Sequence, residues 1–275
     1  IIVCYKSENV IYKCLDSLPK NSKKILIENS KNIKLKNEIE LKYDNIEVII
    51  NENIGMGASN NIGIIKSLTD FVYVINPDTV FKSDTIEKLI NEIKKINDFA
   101  ILSPIISNKK FPNFKGLVEK DSIGNNIIAV ETLDGFSMLI NKNKFDKNNF
   151  FDEKIFLYLE NDDLCLRARK SGHKIYIIKN SEIDHAAASS SNLSKFDLEC
   201  LRNWHWMWSK FYFNKKHYGY LKALSKVSLN LFSSFFKYFL SLIISNKLNK
   251  KIYLMRLKGL LASIKGKRSY FRLND

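Results

Sequence analysis

Short apolar runs separated by polar stretches of helical period mark the first 100 residues of the chain. Ile1–Cys4 reads as a buried strand, and Asn9–Leu18 as a short amphipathic helix closed by Pro19. Further strands are predicted at Lys24–Ile27, Glu47–Ile50, Phe71–Ile75 and Ala100–Leu102. Helices are predicted at Gly57–Leu68 and Ser83–Ile96, the second capped by Ser83. Strands and helices alternating at this spacing predict an α/β fold with a mostly parallel, helix-covered sheet and right-handed crossovers.

Residues 104–132 lose this rhythm around Pro104, Pro112, Gly116 and Gly124, which predicts loops and a short hairpin. Thr132–Asn141 returns as a strand with Gly135 near its start. Glu160–Ser171 reads as a helix stopped by Gly172, and Lys174–Ile178 as a strand. The small-residue tract Ala186–Asn192 reads as a mobile loop. Beyond Lys195 the pattern becomes helical, with aromatic and basic faces. Arg202–Lys216 carries Trp204, Trp206, Trp208, Phe211, Tyr212 and Phe213. Val227–Ser245 holds 12 apolar residues in 19, with Lys237 at its centre. A membrane-spanning helix needs ~20 mostly apolar residues, and a central lysine is costly there. A helix lying in the interface, its basic residues facing anionic head groups, fits better. The alternative is that these helices pack on the body and on each other.

Composition changes the picture mainly through charge. The 275 residues are 45% hydrophobic and 27% charged, which excludes disorder and a collagen-like fibre. The net charge is +15, yet residues 195–275 hold 17 Lys or Arg against three acids. The expected organisation is therefore a near-neutral body, 1–194, and a strongly basic helical tail, 195–275, with an anionic partner for the tail alone. Cys4, Cys14, Cys165 and Cys200 show no C-x-x-C or metal-finger spacing, as expected of free thiols in a reducing compartment. The chain opens on Ile1 with an apolar run and offers no signal peptide to read.

In an open parallel sheet, ligands bind beyond the carboxyl ends of the strands. The segments that follow the predicted strands are polar: Tyr5-Lys6-Ser7, Glu28-Asn29-Ser30, Asn51 to Asn61, and Asn76-Pro77-Asp78. The run Asn53-Ile54-Gly55-Met56-Gly57-Ala58-Ser59-Asn60-Asn61 places small residues before a helix, where backbone amides can approach a phosphate. Asn60 stands where a dinucleotide fingerprint needs its third glycine, and no P-loop run occurs anywhere. Asp78, at the tip of an apolar strand, can ligate a hard cation that bridges a diphosphate, or can simply cap a turn. Glu160-Asn161-Asp162-Asp163 crowds three carboxylates at a helix start. Such crowding suits the macrodipole, and its repulsion can also raise a pKa as a general base requires. His185, beside the small-residue tract, is either structural or a metal ligand.

Taken in order, these segments resemble the family-2 inverting glycosyltransferases of the GT-A fold, a group containing many bacterial rhamnosyltransferases. The resemblance runs from Ile1 to about His185. It is carried by I-V-C-Y-K-S, I-E-N-S, N-I-G-M-G-A-S-N-N, I-N-P-D-T, D-G-F-S-M-L-I, F-D-E-K-I-F-L-Y-L-E-N-D-D-L-C-L-R and the D-H ending. It implies a Rossmann-like GT-A sheet and donor-binding roles for Tyr5, Glu28, Asn53, Gly55, Asn60 and Asp78. Glu28 would hold the base or ribose, at a position where the family more often has Asp. Asp78 and His185 would hold Mn²⁺ or Mg²⁺ with the donor diphosphate, and Asp134 and Gly135 would lie beside sugar and acceptor.

Two departures stand out. The D-x-D-like element is Asn76-Pro77-Asp78, with one carboxylate for the metal. Asn161 occupies the position where many relatives place the catalytic base, which leaves Glu160 or Asp162. Glu160 is slightly favoured by its place in the motif, while Asp163 anchors helix and loop. The implied activity is inverting transfer from a nucleotide-sugar donor (dTDP-rhamnose or a UDP-hexose) to a glycan or lipid-linked saccharide. The setting would be the cytoplasmic face of the cell membrane, during envelope polysaccharide synthesis.

Two rivals remain. A nucleotidyltransferase needs a Gly-rich, Arg-containing loop after the first strand, where this chain has Tyr5-Lys6-Ser7-Glu8. The other rival is a membrane- or nucleic-acid-binding protein acting through its basic tail, on a non-catalytic nucleotide-binding scaffold. The long apolar neighbours of the tail aromatics suit membrane or core better than nucleic acid.

Overall fold

The computed structural model describes residues 1–108, 110–146, 149–186 and 194–272. The chain divides into two compact units: Ile1–Asp152 with Asn161–Asn192, and Glu153–Glu160 with Leu193–Asp275. The charge-based boundary at 194 therefore leaves out one excursion, residues 153–160, which pack with the C-terminal helices.

The first unit begins with β1 (Ile2–Cys4), α1 (Glu8–Ser17), β2 (Lys24–Glu28), α2 (Ile33–Lys42), β3 (Ile46–Ile50), α3 (Met56–Lys66) and β4 (Phe71–Ile75). Then come β5 (Thr79–Phe81), α4 (Thr85–Ile93), β6 (Ile101–Ile106), β7 (Phe114–Leu117), β8 (Ile127–Leu133), β9 (Ser137–Asn141), α5 (Glu160–Lys170) and β10 (Ile175–His185). The sheet order is β3-β2-β1-β4-β9-β6-β10-β8-β7, with β5 beside β10. The pairs β1–β2, β2–β3, β1–β4 and β6–β10 are parallel, while β9 runs antiparallel to both β4 and β6. β1 is buried throughout because it is covered on both faces. Ile11, Cys14 and Leu15 of α1 pack with Ile2, Leu26 and Val48. Ile64 of α3 and Leu164 of α5 belong to a second core with Val72, Met138 and Ile177.

Register sets the functional edge. Cys4 pairs with Glu28, Glu28 with Ile50, and Ile2 with Ile75, so Tyr5, Asn29, Asn51 and Asn76 leave the sheet on one side. Ile75 pairs with Ser137 of the antiparallel β9, which brings the Asp134–Phe136 turn to that side. His185 pairs with Thr79 and joins them.

Several elements differ from the sequence expectation. α2 was not foreseen because it buries only Leu35 and Ile39 within a charged helix, too little to set a period. The stretch expected to hold loops and a short hairpin contains that hairpin, the antiparallel pair β7–β8, and also the rest of β6. β6 runs through Pro104 because its β9 partner ends at Leu102 and the Asn113 side chain takes over. Asn113 accepts from the Ile106 N–H at 2.9 Å and donates to the Pro104 carbonyl at 3.0 Å. The strand expected over Thr132–Asn141 is the end of β8, a turn at Asp134–Phe136, and β9. α4 begins at Thr85 behind Asp84 rather than Ser83, and β10 continues beyond Ile178 to His185. Residues 187–193, most of the tract expected to be mobile, lie outside the described residues. All four cysteines are buried and none forms a disulfide.

In the second unit, α6 (Lys195–Tyr218), α7 (Tyr220–Ile243) and α8 (Lys247–Ile264) pack together. The α6–α7 turn uses Gly219 at φ 86°, a left-handed conformation suited to glycine. Trp204 and Trp208 cluster with Met255 and Ala262, while Phe211 meets Ala223, Val227 and Leu260. α8 crosses α6 at Gly259, where a Cβ would come within 2.1 Å of the Trp204 carbonyl oxygen. Ser209 donates to the Leu157 carbonyl at 2.8 Å, and Phe156 stacks on His205 with Arg272 over the ring. Among the described residues, no helix is long and apolar enough to cross a membrane.

Candidate active site

The carboxyl edge of β1, β2 and β3 is tied by a buried amide–hydroxyl network. Asn29 donates to Ser59 Oγ at 2.8 Å, and Asn51 donates to Asn29 Oδ1 at 3.0 Å. This network joins two strand ends to α3 and fixes the loop before it. Gly55 caps α3 at φ 107° and is buried, a backbone state that L side chains rarely adopt. Asn53 lies half-buried in that loop. Asn60 is buried within α3, and among the described residues its Oδ1 has no hydrogen-bond donor. Tyr5 is half-buried at the end of β1, with Lys6 Nζ 5.5 Å from its ring centroid.

Glu28 is fully buried, and its carboxylate holds the turn that follows β2. It accepts from the Ser30 N–H at 3.1 Å, from the Ser30 hydroxyl, and from the Asn32 N–H at 2.6 Å. Its visible work is therefore to shape the loop that leads into α2. The expected contact with base or ribose stands apart from this geometry.

Asp78 behaves differently. Its side chain is almost wholly buried, yet among the described residues neither oxygen receives a hydrogen bond. His185 Nε2 lies 3.2 Å from Asp78 Oδ1 without hydrogen-bond geometry. Phe136 stacks flat on the His185 ring at 4.1 Å and 5°, and its carbonyl accepts from the Asn76 N–H at 2.9 Å. The Ala186 N–H reaches the Asp78 carbonyl at 3.1 Å. A buried carboxylate with no donor is costly, commonly by several kcal/mol, unless a cation answers it. Mn²⁺ and Mg²⁺ accept a carboxylate, imidazole suits manganese, and substrate oxygens and water complete such sites. The donor set thus fits a divalent ion with two protein ligands. Among the described residues there is no cluster of three or more His, Cys, Asp or Glu. A pocket of about 230 Å³ opens beside this pair, bordered also by Asn9, Lys13, Asn108 and Asp184.

The second group of carboxylates sits on the β8–β9 turn and on α5. Burial pushes the Asp162 carboxyl above the usual range, Lys115 opposes the shift, and Asp134 adds to it. Burial likewise raises Asp134, against the attraction of Lys115 and His185. Crowding was the expected cause of a raised pKa at 160–163. The larger cause is desolvation, and the like charge comes from Asp134 on another element. Gly135 gives α5 room: a Cβ there would stand 3.3 Å from Asn161 Cβ. Asn161 donates to the Leu133 carbonyl at 2.7 Å and so ties the helix start to the turn. Asp163 is fully buried and accepts from Arg167 Nε at 2.8 Å, while Arg167 also donates to the Asn149 and Phe150 carbonyls.

Glu160 belongs to the second unit and is buried. The chain reaches it through Tyr158 and Leu159, both left-handed at φ 68° and 67°. Two consecutive non-glycine residues in that region cost about 1–3 kcal/mol each, and such strain clusters at functional sites. Tyr158 packs edge-on to Trp206, which helps to hold the bend.

Sequence reasoning missed Lys115, which lies on a strand of the expected hairpin, and Phe136, whose ring stacks on His185. The D-G-F-S run was the available signal for Phe136; Lys115 had none.

A mostly parallel sheet with polar strand ends, a buried Asp–His pair and a carboxylate-bearing turn is the arrangement of a GT-A glycosyltransferase. Comparison with known proteins gives the family: residues 1–164 match Glycosyl transferase family 2, and the chain belongs to it. It is 26% identical over 140 residues to rhamnosyltransferase WbbL of Escherichia coli K12, covering 43% of this chain and 53% of that protein. It is 28% identical over 141 residues to the low-salt glycan biosynthesis hexosyltransferase Agl10 of Haloferax volcanii, covering 44% and 45%. The chain spans about half the length of these curated relatives. Among solved structures, S. aureus TarS 1–349 with UDP-GlcNAc superposes at TM-score 0.53 and 13% identity, over 100% of this chain and 93% of that one. The Pyrobaculum calidifontis mannosyltransferase PcManGT, in complex with GDP-Man and Mn²⁺, superposes at 0.56 and 8% identity, over 97% and 86%. At these identities the structures establish the fold.

Proposed function

We propose that this protein transfers a sugar from a nucleoside-diphosphate donor to a hydroxyl of a glycan or lipid-linked saccharide, with inversion at the anomeric carbon. dTDP-rhamnose and UDP-hexoses are the donors in view, and assembly of a cell-envelope polysaccharide at the inner membrane face is the setting. The observation that carries the reading is the buried Asp78 carboxylate, unanswered by a hydrogen bond among the described residues, with the His185 imidazole beside it at the strand-end edge. Asp78 and His185 are the residues that would hold Mn²⁺ or Mg²⁺. When bound, such an ion neutralises charge on the leaving diphosphate.

The remaining work falls to the chain itself. The Gly55 turn and the first amides of α3 can approach the donor closely. Tyr5, Asn53 and Asn60 border the same edge. Asp134 and Gly135 lie on the turn proposed to meet sugar and acceptor. Asp162 takes the proton of the acceptor hydroxyl as its oxygen bonds to the anomeric carbon and the bond to diphosphate breaks on the opposite face. Motif position had favoured Glu160. Asp162 is preferred because burial raises its carboxyl, and because it is coupled to Asp134 within the first unit.

Calorimetric titration with UDP, dTDP and GDP, each with and without Mn²⁺, tests the reading on the wild type and on Asp78→Ala. Metal-dependent binding of one nucleotide, lost in the variant, supports it and names the donor's carrier. A folded protein that binds none of the three would sink it.

A further inference from the structure

α7 turns its amphipathic pattern inside out. Its inward seam runs through Ala223, Val227, Ser234 and Ser241, with the two serines 2% and 5% exposed. Its outward face carries Leu229, Phe232, Phe235, Phe236, Phe239 and Ile243, exposed to 82%, 69%, 63%, 66%, 57% and 68%. A helix of a water-facing bundle buries its rings and exposes its serines. Here, over the second half of α7, Ser234 and Ser241 are buried and the phenylalanine rings exposed. At about 100° per residue these side chains share one continuous arc, and Lys222, Lys226 and Lys237 stand along its flank. A contiguous apolar patch of this kind marks an interaction surface.

Resting on the proposed membrane setting and sharpening it, we propose that α7 is the membrane-docking element: it lies flat in an anionic bilayer surface, rings down, with its lysines at the head groups. Three observations select this occupant. The segment 195–275 holds 17 Lys or Arg against three acids, so a second copy of the same face would meet strong repulsion. The apolar arc from Leu229 to Ile243 is about 22 Å long, short of the ~30 Å hydrocarbon core, and no described helix qualifies to span a membrane. Aromatic rings flanked by lysines on one helix are the makeup of interfacial helices, whose binding adds apolar burial to attraction for anionic lipid.

Vesicle flotation of the full chain, without donor, tests this. The lipids are phosphatidylcholine alone and phosphatidylcholine mixed with phosphatidylglycerol, each at low and high salt. The wild type is expected to float with the mixed vesicles and to retain part of that binding at high salt. Replacing Phe232, Phe236 and Phe239 together by Ser should weaken partitioning by about a hundredfold. Replacing Lys222, Lys226 and Lys237 by Gln should cost about fivefold per lysine on mixed vesicles and little on neutral ones. These side chains are on the surface, so both variants should keep the wild-type thermal midpoint and nucleotide titration. Retained nucleotide binding also keeps a failure here separate from a failure of the transferase reading. Flotation with neither vesicle, or equally with both, would overturn the proposal. So would a dimer in sedimentation velocity that the Phe substitutions dissolve, or binding to single-stranded RNA in place of vesicles.

Discussion

The strand-end edge of the first unit and helix α7 of the second break the same rule in opposite directions. At the edge, groups that water should claim are buried: among the described residues neither Asp78 oxygen is hydrogen-bonded, and Asn60 Oδ1 has no donor. On α7, rings that a core should claim face outward. Consistency across levels is the norm in a folded chain, so the places where it fails are where a ligand is expected to complete the structure. A cation and diphosphate would answer the first exception, and lipid would answer the second. On the two proposals, the units would divide one task between chemistry and location.

The sharpest break of that division is Asp162→Asn. If the edge is catalytic, kcat should fall by about 10²–10⁴, the usual worth of a general base. Nucleotide binding should persist, because Asp162 is assigned to the acceptor side. Equal loss of transfer and of UDP or dTDP titration would instead move Asp162 into donor binding. The measurement is initial-rate kinetics paired with calorimetry.

On the other side of the comparison, Gly259→Ala should destabilise the helical unit by about 3 kcal/mol or more, since a methyl group would overlap the Trp204 backbone rather than a yielding side chain. Thermal unfolding followed by tryptophan fluorescence reads this directly, because Trp204, Trp206 and Trp208 all lie on α6. If nucleotide titration survives the same substitution, the two units are thermodynamically separable. Parallel loss would join them.

Legibility in the sequence follows the same divide. The parallel half of the sheet was readable because β1, β2 and β4 are apolar runs with polar ends, and their register follows from the βα alternation. α2, β5 and the continuation of β6 past Leu102 were not, because two buried residues in a charged helix, or a strand broken by Pro104 and completed by Asn113, carry no period. At the site, Asp78 could be placed on the edge from its position after a strand, while His185 was joined to it only through the family resemblance. Their 3.2 Å approach depends on β10 extending past a bulge to pair with β5, and no local pattern announces that. In the tail, charge and aromatic content were plain. The direction of α7 was hidden because its serines and rings alternate in a way that fits either facing.

His205 offers a smaller probe of the helical unit. It is wholly buried; Nε2 carries the proton donated to the Phe271 carbonyl at 2.8 Å, leaving Nδ1 to accept from the Ser269 hydroxyl at 2.9 Å. Burial pushes its pKa down to about 3, against about 6.5 in an unfolded chain. The unfolded state therefore binds the extra proton. The stability of this unit is complete above pH ~6.5 and declines by up to about 1.4 kcal/mol per pH unit as pH falls towards 3. Thermal midpoints between neutral pH and pH ~5 should show that decline, and His205→Gln should flatten it.

The finest test returns to the edge and asks whether Asp134 and Lys115 set the proton affinity of Asp162. Both raised carboxyls owe most to burial, which substitution of a neighbour leaves largely in place, so the expected shifts are well under one pH unit. Their signs, however, are opposite. Asp134→Asn removes a like charge and should move the acid limb of the kcat/KM profile to lower pH. Lys115→Ala removes an opposing charge and should move it to higher pH. A limb that ignores both substitutions cannot belong to Asp162. Glu160, reached through the strained Tyr158–Leu159 bend, would then inherit the role of base, and the chemistry would depend on a residue that packs with the helical unit.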